Sequence, residues 1–131
     1  MIKRIEKKAI ELLLAGNDPM LIELRNQYNT ASIKNIEMTG VGVYINYSIH
    51  AKSIKLQEDC HFCFGDIEGK LDSLNNGIGF LLCIDKGVLS FLEIYTYDEP
   101  WPDQIKEFEI NYIDGIRNID ELHNSWSIFQ F

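Results

Sequence analysis

The stretch GFLLCIDKGVLSFLEIYTY, residues 79–97, decides the fold class. Two apolar runs flank Asp85-Lys86-Gly87, where the glycine supplies the positive φ that a tight hairpin turn requires. Residues 80–84 are apolar without alternation, which is typical of a central strand that is covered on both faces. We therefore predict a hairpin of residues 79–85 and 88–97 inside a sheet.

Further strands are predicted on both sides of this hairpin. Residues 41–49 show the clearest alternation of apolar and polar side chains, with a period of two. Three further strands are expected, at residues 33–38, at residues 60–69 with Gly65 as a possible bulge, and at residues 105–113. Because short turns join sequential strands, we expect a mostly antiparallel sheet of five or six strands spanning residues 33–113.

The first 29 residues predict a helical hairpin. Apolar residues recur at helical spacing from Ile2 to Leu13, and Gly16 ends this helix. A second helix then begins, with Asp18 as N-cap and Pro19 at the first helical position. The expected fold is therefore α+β, a single domain over residues 1–131 in which the hairpin covers one face of the sheet. Residues 114–131 are predicted to form a polar C-terminal tail.

Composition predicts a cytoplasmic protein. No apolar run in the 131 residues approaches the roughly 20 that span a bilayer, and charged residues interrupt the N-terminal region where a signal peptide would be apolar. The cysteines, Cys60, Cys63 and Cys83, are odd in number, so we expect no disulfide framework, in agreement with a reducing compartment.

The net charge of -8 disfavours direct nucleic-acid binding, which needs clustered lysine and arginine. From Glu93 onward, nine acidic residues are opposed only by Lys106 and Arg117. This concentration of carboxylates favours fast association with a basic partner. Ordinary solvation of the surface explains the same charges equally well.

No catalytic or cofactor motif is recognisable. In a strand, Cys60 and Cys63 point to opposite faces, so Cys60-His61-Phe62-Cys63 is a poor chelate for one ion. The lone Gly77-Ile78-Gly79 enters a strand instead of opening a helix, which disfavours phosphate binding. The histidines lie in no motif with a nucleophile. We predict no enzymatic activity, no metal site and no cofactor.

The segment LEIYTYDEPWPD, residues 92–103, combines aromatic side chains, carboxylates and two prolines. Tyrosine and tryptophan are enriched in binding hot spots, and neighbouring carboxylates pair with cationic groups of a partner. The prolines restrict the backbone, which lowers the entropy cost of binding. The competing interpretation is a core-packed strand end, with Trp101 plugging the bottom of the sheet.

The same region resembles a family signature. The sequence GIGFLLCI at residues 77–84, LSFLE at residues 89–93 and YTYDEPWP at residues 95–102 resembles the pattern G-x-G-F-L-L-F-I-x-D-G-x-L-x-x-L-E-G-Y-x-Y-x-E-x-W-P. This pattern is similar to that of small bacterial immunity proteins of contact-dependent growth inhibition and related polymorphic toxin systems. Ile94 and Cys83 depart from it. The resemblance implies a cytosolic protein that binds a toxin domain, often a nuclease, and blocks its active site.

The leading hypothesis is therefore an immunity protein that covers the active site of a basic toxin, such as a nuclease, with an acidic surface. The predicted contact residues are Asp66, Glu68, Glu93, Tyr95, Tyr97, Asp98, Glu99, Trp101 and Asp103. Two alternatives stay open. One is a small enzyme or ligand-binding domain with a helix–sheet pocket around His61 or Glu93, and the other is a plain interaction subunit, either monomeric or dimeric.

Overall fold

The computed structural model describes residues 1–57 and 59–129. These residues form an α+β fold, in which two helices precede a seven-stranded antiparallel sheet and a third helix follows it. The elements are, in chain order, α1 (Ile2–Leu13), α2 (Pro19–Thr30), β1 (Ser32–Met38), β2 (Gly42–Ser48), β3 (Phe62–Phe64), β4 (Ile67–Leu71), β5 (Ile78–Asp85), β6 (Val88–Thr96), β7 (Phe108–Tyr112) and α3 (Ile119–Phe129).

The N-terminal helical hairpin is confirmed. The carboxylate of Asp18 accepts hydrogen bonds from the backbone N–H groups of Met20 at 3.1 Å and Leu21 at 3.3 Å, and Pro19 is the first residue of α2. Both helices pack on the sheet, as expected, and bury one apolar stripe each. In α1 the stripe includes Ile5, which is fully buried.

The predicted central hairpin is also confirmed. The strand order is β1-β2-β6-β5-β4-β7, and β3 pairs with the same edge of β5 as β4 does. The fully buried Gln27 of α2 ties the helices to this hairpin. Its amide donates to the carbonyl of Gly87 at 3.0 Å and accepts from the N–H of Leu89 at 2.9 Å.

The predicted number of five or six strands is wrong, because the strand expected at residues 60–69 is divided into β3 and β4. Phe64 lies opposite Leu82, whereas Glu68 lies opposite Gly79, so the register along β5 shifts by one residue. The interruption lies between Phe64 and Ile67 and includes Gly65, the residue at which a bulge was predicted. A Cβ atom there would overlap the carbonyl oxygen of Phe80, so only glycine fits this close approach of two backbones.

The polar tail predicted for residues 114–131 instead contains α3. The side chain of Asn118 accepts hydrogen bonds from the N–H groups of Asp120 and Glu121, both at 3.1 Å, which caps the helix. Leu122 and Trp126 lie four residues apart and are buried, and the Trp126 ring contacts Phe62 and Phe64. Phe131 of the predicted tail lies outside the described residues.

The expectation of no disulfide is wrong as well. Cys63 of β3 and Cys83 of β5 lie directly opposite each other and form a disulfide, with their Cα atoms 4.1 Å apart. An odd cysteine count argued against a framework of several disulfides, but it cannot exclude a single one. Cys60 precedes β3, outside the strand that was predicted to contain it, and is buried in the core.

One acidic side chain lies inside the core. Glu6 of α1 is only 3 % exposed, and its carboxylate accepts hydrogen bonds from the hydroxyls of Tyr47 at 2.6 Å and Tyr28 at 2.9 Å. These bonds connect α1 to α2 and to β2. A buried carboxylate without hydrogen-bond donors would destabilise the fold, and the two hydroxyls supply the donors that Glu6 needs.

Candidate functional site

The sheet presents two faces of different character. In β6, Leu92 and Ile94 are fully buried beneath the helices, whereas their neighbours Glu93 and Tyr95 point the other way and are half-buried. We call the surface opposite to α1 and α2 the open face. Strand alternation and pairing place on it Glu37, Tyr44, Asn46, Cys63, Glu68, Leu81, Cys83, Phe91, Glu93, Tyr95 and Tyr97.

Glu93 lies at the centre of the open face. Across β2, β6 and β5, cross-strand pairing aligns Tyr44, Glu93 and Leu81 in one row. Hydrogen bonding with the Glu93 carboxylate, together with its charge, raises the pKa of Tyr44 above its ordinary value. The Tyr44 ring also meets Phe91 edge to face, with centroids 5.5 Å apart. The Glu93 carboxylate thus lies among aromatic side chains.

A second aromatic pair lies next to this row. The rings of Tyr95 and Tyr97 meet edge to face with centroids 5.5 Å apart. Burial, reinforced by hydrogen bonding with Tyr97, raises the pKa of Tyr95 to about 12. Gly79 makes room for the pair, because a Cβ there would overlap the Tyr95 ring and the Tyr97 hydroxyl. On the far side of Gly79 lies Glu68 of β4.

The open face is predominantly acidic. Besides Glu93, its strands carry Glu37 on β1, Glu68 on β4 and Glu109 on β7. The basic residue Lys70 of β4 lies across from Glu109. All of these except Glu93 are exposed, so the carboxylates are accessible to an approaching molecule. The face therefore combines half-buried aromatic rings with exposed negative charge.

The structure brings four of the nine predicted contact residues together. Glu68, Glu93, Tyr95 and Tyr97 share the open face. Asp66 lies instead at the bulge between β3 and β4, where Arg117 donates two hydrogen bonds to its carboxylate, each 2.9 Å long. This ion pair occupies both oxygen atoms of Asp66.

Asp98 and Glu99 lie in the turn that follows β6. Asp98 is exposed and has a φ of 56°, in the left-handed region. The carboxylate of Glu99 accepts hydrogen bonds from the N–H groups of Asn75 and Asn76, both at 2.9 Å. Glu99 therefore fastens the β4–β5 connection to this turn.

Trp101 and Asp103 lie at the end of the sheet next to the start of α1. The Trp101 side chain is half-buried and packs against the core, and the Trp101 backbone N–H donates to the carbonyl of Gly40 at 2.7 Å. This position agrees with the packing interpretation of Trp101. Asp103 is exposed and lines a shallow groove with Met1 and Lys3, away from the open face.

Sequence reasoning missed Tyr44, Phe91 and Glu37. The alternation of residues 41–49 placed Tyr44 on one face of a strand, but its position beside Glu93 depends on the pairing of β2 with β6, which joins distant parts of the chain. Phe91 belongs to the same strand as Glu93 and Tyr95 and has the same parity. That parity was the one signal that could have included it.

His61 and Glu93, each named as a candidate pocket residue, lie in different parts of the sheet. His61 pairs with Asp85 at the tip of the β5–β6 hairpin, whereas Glu93 lies opposite Leu81, four residues earlier in β5. Among residues 1–57 and 59–129, no three histidine, cysteine or acidic side chains converge as metal ligands do. None of the helices in that part of the chain is long and apolar enough to cross a membrane.

Comparison of the chain with protein-family models, with curated proteins and with solved structures yields no match.

Proposed function

We propose that this chain is an immunity protein that binds a basic toxin domain, such as a nuclease, through the open face and so blocks the toxin's active site. The single observation that carries this proposal is the juxtaposition of Glu93 with Tyr44, Phe91 and Tyr95 on a sheet face that α1 and α2 leave uncovered.

The chemistry of this cluster fits a protein partner. Half-buried tyrosine and phenylalanine rings still expose apolar area, and a docking partner removes this area from solvent. Because these side chains have few rotatable bonds, little conformational entropy is lost. Glu93 lies opposite Tyr44 on the paired strand and is half-buried, which limits its side-chain freedom, so pairing with an arginine or lysine of the partner costs little ordering. Cationic groups also stack favourably on tyrosine faces.

The net charge of -8 favours a basic protein over nucleic acid as the partner. The form of the site favours a protein over a small molecule, because small-molecule sites are concave and these residues lie along a sheet surface. The carboxylates of the open face also resemble, in charge, the phosphates that a nuclease cleft binds. Occupation of such a cleft by Glu68 and Glu93 would exclude its substrate by direct competition.

The proposal is tested by co-expression with the toxin domain encoded beside this chain. Wild-type protein is expected to restore growth. Glu93→Lys reverses the charge at the centre of the open face and is expected to weaken binding of the purified toxin by at least tenfold, the loss typical of a hot spot. Glu11→Lys makes the same charge change on an exposed position of α1 and is expected to bind as the wild type does.

Thermal unfolding of both variants establishes that they fold. Cell death in the presence of the wild-type protein would eliminate the proposed function. Equal binding by Glu93→Lys and Glu11→Lys would keep an immunity role but remove the open face from it.

A further inference from the structure

A groove of about 280 Å³ lies where the sheet meets α3. Its floor is apolar and includes Leu81 of β5 and Leu122 of α3, and its outer wall is formed by Ile113 and Ile116 from the β7–α3 connection. Leu81 also belongs to the open face. The groove and the open face are therefore continuous, and we refer to the former as the α3 groove.

Two of the wall residues are unusually accessible for isoleucine. Ile113 is 53 % exposed and Ile116 is 79 % exposed. A single exposed apolar side chain is common, but two that flank an apolar groove form a patch, and such patches mark interaction sites. Neither side chain is needed to complete the core, because both lie largely in solvent.

The rim of the groove is acidic. Asp114 and Glu121 line it, and neither forms an ion pair within the part of the chain that the structure describes. The third carboxylate at the rim, Asp66, is already neutralised by Arg117. The groove thus offers an apolar cleft between two carboxylates that are available for pairing with a cation.

From this combination we infer that the α3 groove holds an amphipathic, basic segment of the partner protein, with an apolar side chain inserted between Ile116 and Leu122 and flanking lysine or arginine residues paired with Asp114 and Glu121. A second copy of this chain is a poor occupant, because two molecules of charge -8 repel each other. The inference rests on the proposed function for the identity of the partner, but its chemistry is tested separately.

The probe is a synthetic, fluorescently labelled helical peptide of leucine and lysine, and the comparison peptide has glutamate in place of lysine. We expect saturable binding of the basic peptide in fluorescence anisotropy, and none of the acidic one. Ile116→Ser is expected to lower the affinity about tenfold. Asp114→Asn combined with Glu121→Gln is expected to lower it by a similar factor and to reduce its salt dependence.

One matched variant locates the binding. Ile54→Ser removes another exposed isoleucine, 67 % exposed and in the β2–β3 loop, and is expected to bind as the wild type does. Unchanged binding by Ile116→Ser would overturn the inference, as would an equal loss of binding in Ile54→Ser. A dimer in light scattering that Ile116→Ser converts to a monomer would assign the groove to a second copy and overturn it too.

The two proposals fail in different ways. If the toxin kills cells that contain wild-type protein while the basic peptide still binds in the groove, only the proposed function is lost. If the protein neutralises the toxin but Ile116→Ser binds the peptide as tightly as the wild type, only the groove assignment is lost.

Discussion

Reduction of the Cys63–Cys83 disulfide is expected to lower the thermal midpoint of unfolding by roughly 10 °C. The bond joins two residues separated by 20 positions, so in the unfolded chain it closes a loop that contains β4 and most of β5. The chain-entropy relation gives about 3 kcal/mol for a loop of this length. The two cysteines are cross-strand partners in the pairing of β3 with β5, so the bond and the backbone pairing specify the same register.

The midpoint shift follows from the size of the chain. The unfolding entropy of a protein of 131 residues is about 0.28 kcal/mol per kelvin. A loss of about 3 kcal/mol therefore corresponds to roughly 10 °C. The assay is differential scanning calorimetry of the wild type with and without dithiothreitol, with mass spectrometry to establish the redox state of the two cysteines.

The matched control is the double variant Cys63→Ala, Cys83→Ala. Its midpoint is expected to be low and to be the same with and without dithiothreitol. A wild-type midpoint that moves by less than about 2 °C on full reduction would refute the reasoning, because the loop-closure term would then be absent. A shift of equal size in the double variant would assign the effect of dithiothreitol to another part of the molecule.

Two further predictions concern the core. Gly65→Val is expected to lower the free energy of unfolding by on the order of 3 kcal/mol in chemical denaturation, because a side chain would overlap the Phe80 carbonyl. Gly115 has open space around it but a φ of 80°, so Gly115→Ala is expected to lower the free energy of unfolding by only about 1 kcal/mol. Equal losses in the two variants would contradict this distinction. Tyr47→Phe removes a hydrogen bond to the buried Glu6 carboxylate and is expected to cost about 2 kcal/mol at neutral pH. Burial, with the charge of Glu6, raises the pKa of Tyr47 above its ordinary value of 10.0, so its contribution to stability is complete below about pH 10 and declines as the pH rises further. Denaturation of Tyr47→Phe between pH 9 and 11 should accordingly show a weaker decline than the wild type, and an equal or steeper decline would show that Tyr47 is not the group responsible.

Short sequence patterns predicted those parts of the fold that depend on contacts between residues close in sequence. Asp18 and Pro19 define the start of α2 through contacts within one helical turn, and Gly87 defines the β5–β6 turn through its own φ of 79°. The cap of α3 at Asn118 is equally local but was overlooked, because the helix that follows has a narrow apolar stripe. Its burial depends on Phe62, which lies far away in the sequence.

The candidate site was predicted in part for the same reason. Glu93, Tyr95 and Tyr97 follow from the alternation of one strand. Glu99 does not lie on the open face, because it belongs to the turn after β6, where its carboxylate accepts from two backbone N–H groups of another loop. Tyr44 joins the face only through the pairing of β2 with β6. Such cross-strand neighbours depend on strand order, which no single stretch of sequence specifies.

The position of the β1–β2 hairpin constrains how the chain assembles. β2 precedes β6 by about a third of the length of the chain, yet it must add to the outer edge of β6 to complete the sheet. Contacts of such high sequence separation form late, since a large loop must close before they contribute. Until then β6 presents an unpaired edge rich in aromatic and β-branched residues, which is a template for intermolecular pairing. Deletion of the β1–β2 hairpin, or its delayed docking, would therefore leave the edge of β6 as a point of aggregation.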